Sequence, residues 1–163
     1  MTATATGWGR RLFLCTDPAL IRAQLDGENL SRARTGALRD DVSTDEISPL
    51  PAMVHFDATL GRFAHTGTAV GGDRPIVRDA LRNSGIGVLI AGRRYGKGSS
   101  REHSPLAELS AGIRLVIAES FERIYRQNAD NLGLLTSTNL GLVERLERGE
   151  SPTLDELLAG REA

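Results

Sequence analysis

One cysteine, one lysine and three histidines in 163 residues are few, and each scarcity closes off a kind of chemistry. Cys15 alone can neither form an internal disulfide nor hold a zinc ion or an iron–sulfur cluster. It reads as a buried strand residue in a reducing compartment. His55, His65 and His103 are scattered, and no second histidine follows Glu102-His103 at the interval a metalloprotease helix needs, so each reads as a surface or satisfied core histidine. No metal bound by this chain is expected. No apolar run approaches the roughly 20 residues that cross a bilayer, and Leu12-Phe-Leu-Cys15 is too short for a signal-peptide core. No membrane association is expected, the location is read as cytoplasmic, and residues 1–6 read as a frayed terminus. A formal net charge of −1 offers no general attraction to nucleic acid or anionic lipid, so any basic site must be local.

The one lysine lies in the stretch that carries most information, Tyr95-Gly-Lys-Gly-Ser-Ser-Arg-Glu-His103. Upstream, Ile86-Gly-Val-Leu-Ile-Ala91 is short, apolar and β-branched, as a buried strand should be. Downstream, residues 104–112 have helical spacing with Pro105 in the first turn. A glycine-spaced basic loop thus leaves the carboxyl end of a strand and opens a helix. Unpaired amides and the positive end of the helix dipole favour an anion there.

At 40% hydrophobic and 25% charged, the chain can bury one sizeable core, so a single domain over residues 1–163 is expected. Residues 10–15 read as an opening strand and residues 18–25 as a short helix capped by Asp17. Residues 26–40 begin a polar, charge-dense loop that runs on to residue 46. Within its end, Asp41-Val-Ser-Thr-Asp-Glu-Ile-Ser-Pro49 reads on spacing alone as a turn capped by hydroxyls and carboxylates. Residues 52–56 read as a strand or short helix, and residues 75–83 as a helix with Ile76, Ala80 and Leu81 inward. Residues 113–118 make a second buried strand, 120–127 an amphipathic segment and 132–136 a third strand. Strands and helices alternating this closely argue for an α/β layer with parallel pairing. A helix over 140–148 and a C-terminal helix within 151–163, opened by Thr153 and Glu156 in capping-box spacing, close the chain.

Residues 92–100 imitate a nucleotide P-loop and fail its spacing: three residues separate Gly92 from Gly96, and Gly98 parts Lys97 from Ser99. The nucleophile elbow Gly-x-Ser-x-Gly is absent too. A serine alkoxide can act as a base where amides and a cation stabilise its charge, and this loop with Arg101 supplies both. From the residues alone, a capping role and a catalytic role for Ser99 stand level.

Three segments in order carry a resemblance: Ser43-Thr-Asp-Glu-Ile47, the loop 95–103, and Val116-Ile-Ala-Glu-Ser-Phe-Glu-Arg-Ile-Tyr125-Arg-Gln-Asn128. Together they resemble the swivelling domain of the aconitase superfamily, and among its members the small subunits of 3-isopropylmalate dehydratase and homoaconitase. The resemblance covers about residues 41–148 and implies a single swivelling β/β/α domain. It implies a two-chain hydro-lyase whose cluster-bearing large subunit holds a [4Fe-4S] cluster, in a heterodimer or heterotetramer. Carried over residue by residue, it makes Ser99 the base and Asp45 the acidic residue at the domain's edge of the site. Arg101 becomes the grip on a substrate carboxylate and Ser100 part of the anion pocket, with Gly98 and Lys97 as further substrate-binding residues. A planar guanidinium binds a carboxylate in bidentate fashion, which explains arginine there. The implied substrate is a hydroxy di- or tricarboxylic acid such as 3-isopropylmalate or a related alkylmalate. Residues 50–62 do not follow the isopropylmalate enzymes' specificity loop, so which acid stays open, and the 26–39 insert is available for contact with the large chain. The alternative from another class is a non-catalytic anion-binding module with the same fold. A neighbouring reading frame encoding a longer chain with three cluster-ligating cysteines favours the enzyme; its lack favours the module.

Overall fold

Ile86-Gly-Val-Leu-Ile-Ala91 is buried along its whole length, which a strand can be only where neighbours cover both its faces and both its edges. The computed structural model, which describes residues 8–54, 57–99 and 101–158, supplies all four covers. Strands β1 (Arg10–Phe13), β2 (Ile86–Ala91), β3 (Leu115–Ala118) and β4 (Leu135–Ser137) form one sheet in chain order, every pair parallel. Between them run helices α1 (Pro18–Leu25), α2 (Thr44–Ile47), α3 (His103–Ser110) and α4 (Arg123–Leu132), followed by α5 (Gly141–Glu147) and α6 (Leu154–Leu158). Alternate strand residues divide into two cores, as a period of two requires. Leu12, Leu89, Ala91, Val116 and Ala118 meet Ala107 and Ala111 from α3 and its end and Ala129 of α4. Phe13, Val88, Ile90, Leu115 and Ile117 meet Leu142, Val143 and Leu146 of α5 and Leu157 of α6. The expected α/β class and parallel pairing are what the chain adopts.

The edge strand β1 is closed by a side chain. Gln24, fully buried on α1, accepts from the Phe13 amide at 2.8 Å and donates to the Phe13 carbonyl at 3.1 Å, replacing a fifth strand. Asp17 caps α1 as expected, accepting from Ala19 N at 2.9 Å. Thr153 and Glu156 make the expected box at α6, with Thr153 N donating to Glu156 Oε1 at 2.8 Å. Cys15 is buried beyond β1 in a bridge to Leu38, and burial pushes its thiol up.

Several expectations shift. Residues 75–77 are irregular and residues 78–83 form successive turns rather than a helix, because Asp79 sits at φ 69° and is held there by a two-point ion pair with Arg62 at 2.9 and 3.1 Å. Ile76 and Leu81 are buried all the same. The amphipathic segment becomes helical only from Arg123, because Phe121 is spent in a bridge to Tyr95, and α4 runs to Leu132 before Gly133 turns the chain at φ 88°. The third strand therefore begins at Leu135. Residues 26–40 are polar but tied down: Leu30 and Leu38 join the core, and a 3-10 turn spans Arg32–Arg34. The sheet itself begins at residue 10, ahead of the span covered by the motifs. Leu50–Val54 is a 3-10 helix, while residues 1–7, His55 and Phe56 lie outside the described residues. No helix among the described residues is long and apolar enough to cross a membrane.

Candidate active site

The loop after β2 is gripped from both sides. On one side residues 39–44 run beside it: Gly92 N donates to Arg39 O (2.8 Å), Gly96 N to Val42 O (2.7 Å) and Thr44 N to Lys97 O (2.8 Å). Arg94 closes this side with two bonds to Asp41, at 2.5 and 2.9 Å, and its guanidinium holds the Asp41 carboxyl below the usual carboxylate range. On the other side Tyr95 N donates to Ser120 O (3.0 Å) and Glu122 N to Tyr95 O (2.9 Å). Two glycines make the turn possible. Gly96 at φ 87° lies so close to the Tyr125 ring that a Cβ would overlap it, and Gly98 is at φ 112° above Thr44 Oγ1. The result carries Ser99 to an exposed tip, where its carbonyl accepts from Arg101 N at 3.0 Å.

The same grip brings α2 to the loop. Ser43 and Glu46 cap α2 reciprocally, and Arg39 holds the Glu46 carboxylate at 2.6 Å. Asp45, in the first turn, then projects outward with 72% of its side chain exposed, while the Arg101 side chain is 11% exposed. Their Nη2 and Oδ1 atoms meet at 2.5 Å, and Arg101 Nη1 donates to Ser48 O at 3.1 Å. Of the residues singled out in the sequence, Asp45 and Arg101 are thus in contact and Ser99 and Gly98 share one pocket. Lys97 is exposed, its ammonium 3.9 Å from Asp41. Ser100 lies outside the described residues. The pocket of about 240 Å³ beside Ser99 is floored by Gly96, Gly98 and Tyr125 and walled by the start of α4; a second, of about 330 Å³, lies across Asp45 and reaches Arg74.

Beneath the loop lies a polar cluster that the sequence reading passed over. Glu108, His65 and Tyr95 are fully buried and Tyr125 nearly so. The Tyr95 hydroxyl donates to Glu108 Oε2, the Tyr125 hydroxyl to Oε1, and His65 Nε2 stands 2.7 Å from Oε2. Burial first, then the Glu108 charge, pushes both phenols well above their ordinary range, so they remain donors. His65 is the satisfied core histidine expected of it on its Nε2 side; its Nδ1 has no partner among the described residues. A signal existed, since Glu108 falls one helical turn after Ser104 on the inward stripe of α3, where an acid is out of place.

Residues 72–139, which include the loop and α4, match the family model described as aconitase C-terminal domain. The 3-isopropylmalate dehydratase small subunit of Pyrobaculum aerophilum is 37% identical over 125 residues, 76% of this chain and 73% of its own. That of Syntrophus aciditrophicus is 36% identical over 116 residues, 71% of this chain and 67% of its own. The isopropylmalate/citramalate isomerase small subunit of Methanocaldococcus jannaschii is 34% identical over 123 residues, 75% of this chain and 69% of its own. The chain belongs to the family of 3-isopropylmalate dehydratase small subunits, built on the aconitase C-terminal domain.

Proposed function

We propose that the chain is the small subunit of a two-chain iron–sulfur hydro-lyase that dehydrates and rehydrates a hydroxy di- or tricarboxylic acid of the 3-isopropylmalate or citramalate type. The observation that carries this reading is the exposure of Ser99 on a glycine-framed loop, two residues before an Arg101 that pairs with Asp45 of α2. Dehydration takes a proton from one carbon and hydroxide from the next, and this chain's share is the proton. Ser99 Oγ, as alkoxide, removes it and becomes the neutral hydroxyl, while the electron pair enters the new double bond. A serine hydroxyl reaches that state only where donors surround it, and on this reading the loop amides and Arg101 supply them once the site closes. Arg101 orients a substrate carboxylate through its planar fork. An exposed serine is a poor base in water, so closure against the large chain, which excludes water, belongs to the reading.

Hydroxide departure needs a Lewis acid, and this chain's residues do not fit one. Cys15 is buried and alone, and among the described residues no group of three His, Cys, Asp or Glu side chains gathers to hold a metal. The [4Fe-4S] cluster is therefore assigned to the partner, and no step here passes through it.

The test is anaerobic turnover of the complex with the large chain, following unsaturated-acid absorbance across isopropylmalate, citramalate, citrate and homocitrate. Ser99→Ala should lower kcat by about 10²- to 10⁴-fold with the complex intact. Arg101→Lys should act mainly by raising KM, since lysine loses the two-point contact. Undiminished turnover in Ser99→Ala removes the base.

A further inference from the structure

Glu108 is the buried acid that no step above uses. Taking a carboxylate out of water costs several kcal/mol even after relaxation, and apolar residues of similar volume often serve stability as well or better. Packing alone therefore does not account for an acid on the inner stripe of α3. What its donors are attached to does.

Each of the three leads to a different part of the proposed site. Tyr95 opens the serine loop, and its backbone is the point where the loop is pinned to residues 120–122. Tyr125 is the surface on which Gly96 rests and part of the floor of the Ser99 pocket. His65 stands at φ 63°, a left-handed conformation costly for a residue with a Cβ, and its own amide donates to Ile47 O at 2.9 Å. Two residues on, Gly67 N donates to Glu46 O at 3.0 Å, and Gly67 packs so tightly on the Asp45 carbonyl that a Cβ would lie 2.6 Å from it. Hydrogen bonds from one carboxylate thus run to the serine loop, to the start of α4 and to the backing of α2. A fourth contact, Tyr95 Oη to His65 Nε2 at 3.0 Å, closes the loop side against the α2 side.

We propose that Glu108 is a positioning residue, which sets the Ser99 loop in register with the Arg101–Asp45 pair by holding Tyr95, Tyr125 and His65 on one carboxylate. This rests on the reading of Ser99 and Arg101 given above. The arrangement has a consequence for kinetics. Arg101 meets the cluster only at one remove, through Ser48 O and Asp45 of α2 and its end, whereas Tyr95 and Tyr125 meet the Ser99 loop directly, so loosening the cluster displaces Ser99 more than it displaces the carboxylate grip. Loss of Glu108 should therefore appear in kcat with KM little changed.

Two variants decide it. Glu108→Gln keeps an oxygen for one phenol but turns an amide group toward the other donors. The triple variant Glu108→Leu, Tyr95→Phe, Tyr125→Phe removes the carboxylate and both phenols, leaving His65 as the one polar side chain of the four. In the isolated full chain, hydrogen exchange at residues 95–97, whose amides bond to Ser120 O and Val42 O, should speed up by about tenfold or more in both, while the amides of β2 and β3 stay protected. In the complex, kcat should fall by about tenfold in Glu108→Gln and up to about a hundredfold in the triple variant, the scale of a 1 Å misplacement, with KM within about threefold of wild type. Exchange that rises evenly over the whole domain, or wild-type exchange and kcat in the triple variant, overturns the proposal. If the wild-type complex turns over none of the acids, or Ser99→Ala is fully active, the reading of the site fails instead. The exchange experiment then still decides whether Glu108 orders the loop.

Discussion

Gly96→Ala tests the joint between loop and pocket, and the chain contains its own control. Gly96 and Gly133 have nearly the same φ, 87° and 88°, but a Cβ at Gly133 would meet nothing within 4 Å, whereas one at Gly96 would overlap the Tyr125 ring. Gly133→Ala should therefore cost only the left-handed penalty, about 1–2 kcal/mol. Gly96→Ala adds overpacking, typically about 1–3 kcal/mol more, because the Tyr125 ring cannot swing aside while its hydroxyl is bonded to Glu108. For a chain of this size each kcal/mol lowers Tm by about 2–4 °C, so the two variants separate clearly. Urea unfolding of the full chain followed by far-UV circular dichroism, with m-values checked for constancy, measures the difference. Placing Gly96→Ala on a Tyr125→Ala background closes a double-mutant cycle, in which the extra cost should largely vanish. Equal costs for the two alanines, within about 0.5 kcal/mol, would refute the close packing of loop on ring and the positioning argument built upon it.

Two further outcomes test the frame. Leu89→Ala, at a fully buried site in the central strand, should cost about 2–5 kcal/mol, whereas Val54→Ala at an exposed position should stay within about 0.5 kcal/mol, both by urea unfolding. Glu156 should titrate at about 2 by NMR, lowered from 4.5 chiefly by its bond to Arg145 and then by the Thr153 amide. Its folded-state pKa is depressed, so its contribution is fully present above about 4.5 and is lost as pH falls through about 2; Arg145→Ala should move the titration back up.

The parts of this structure legible in the sequence are those where one local rule acts. Ile86–Ala91 reads as a strand because continuous apolar residues between glycines leave little else, and Asp17 before Pro18 announces its helix. Residues 75–83 carry helical spacing and still form no helix, because a residue seventeen positions back, Arg62, clamps Asp79; no window on the sequence contains that contact. Polar composition hid the anchoring of residues 26–40, where two leucines suffice to reach the core. At the site, spacing exposed the loop and the family resemblance supplied roles for Ser99 and Arg101. The Glu108 cluster stayed hidden because its four members come from segments up to 60 residues apart, and only folding gathers them.

Charge bookkeeping around Arg101 explains how such a chain could wait for its substrate. A guanidinium with an 11% exposed side chain would be costly if unpaired, and Asp45 pairs it. The Asp45 carboxylate stands 72% exposed, however, and pairs with a partner so open to water are worth about 0–1 kcal/mol. A substrate carboxylate arriving in a site dried by the large chain would meet the same fork as a two-point, charge-assisted contact, a kind of bond worth about 1.5–3 kcal/mol. On the proposed function, exchange of Asp45 for substrate is then favourable only after closure. The pairing that neutralises Arg101 in the isolated chain is weak enough not to compete with the complex, and the same exchange would leave the Asp45 carboxylate at the edge of the closed site, where the resemblance places its role.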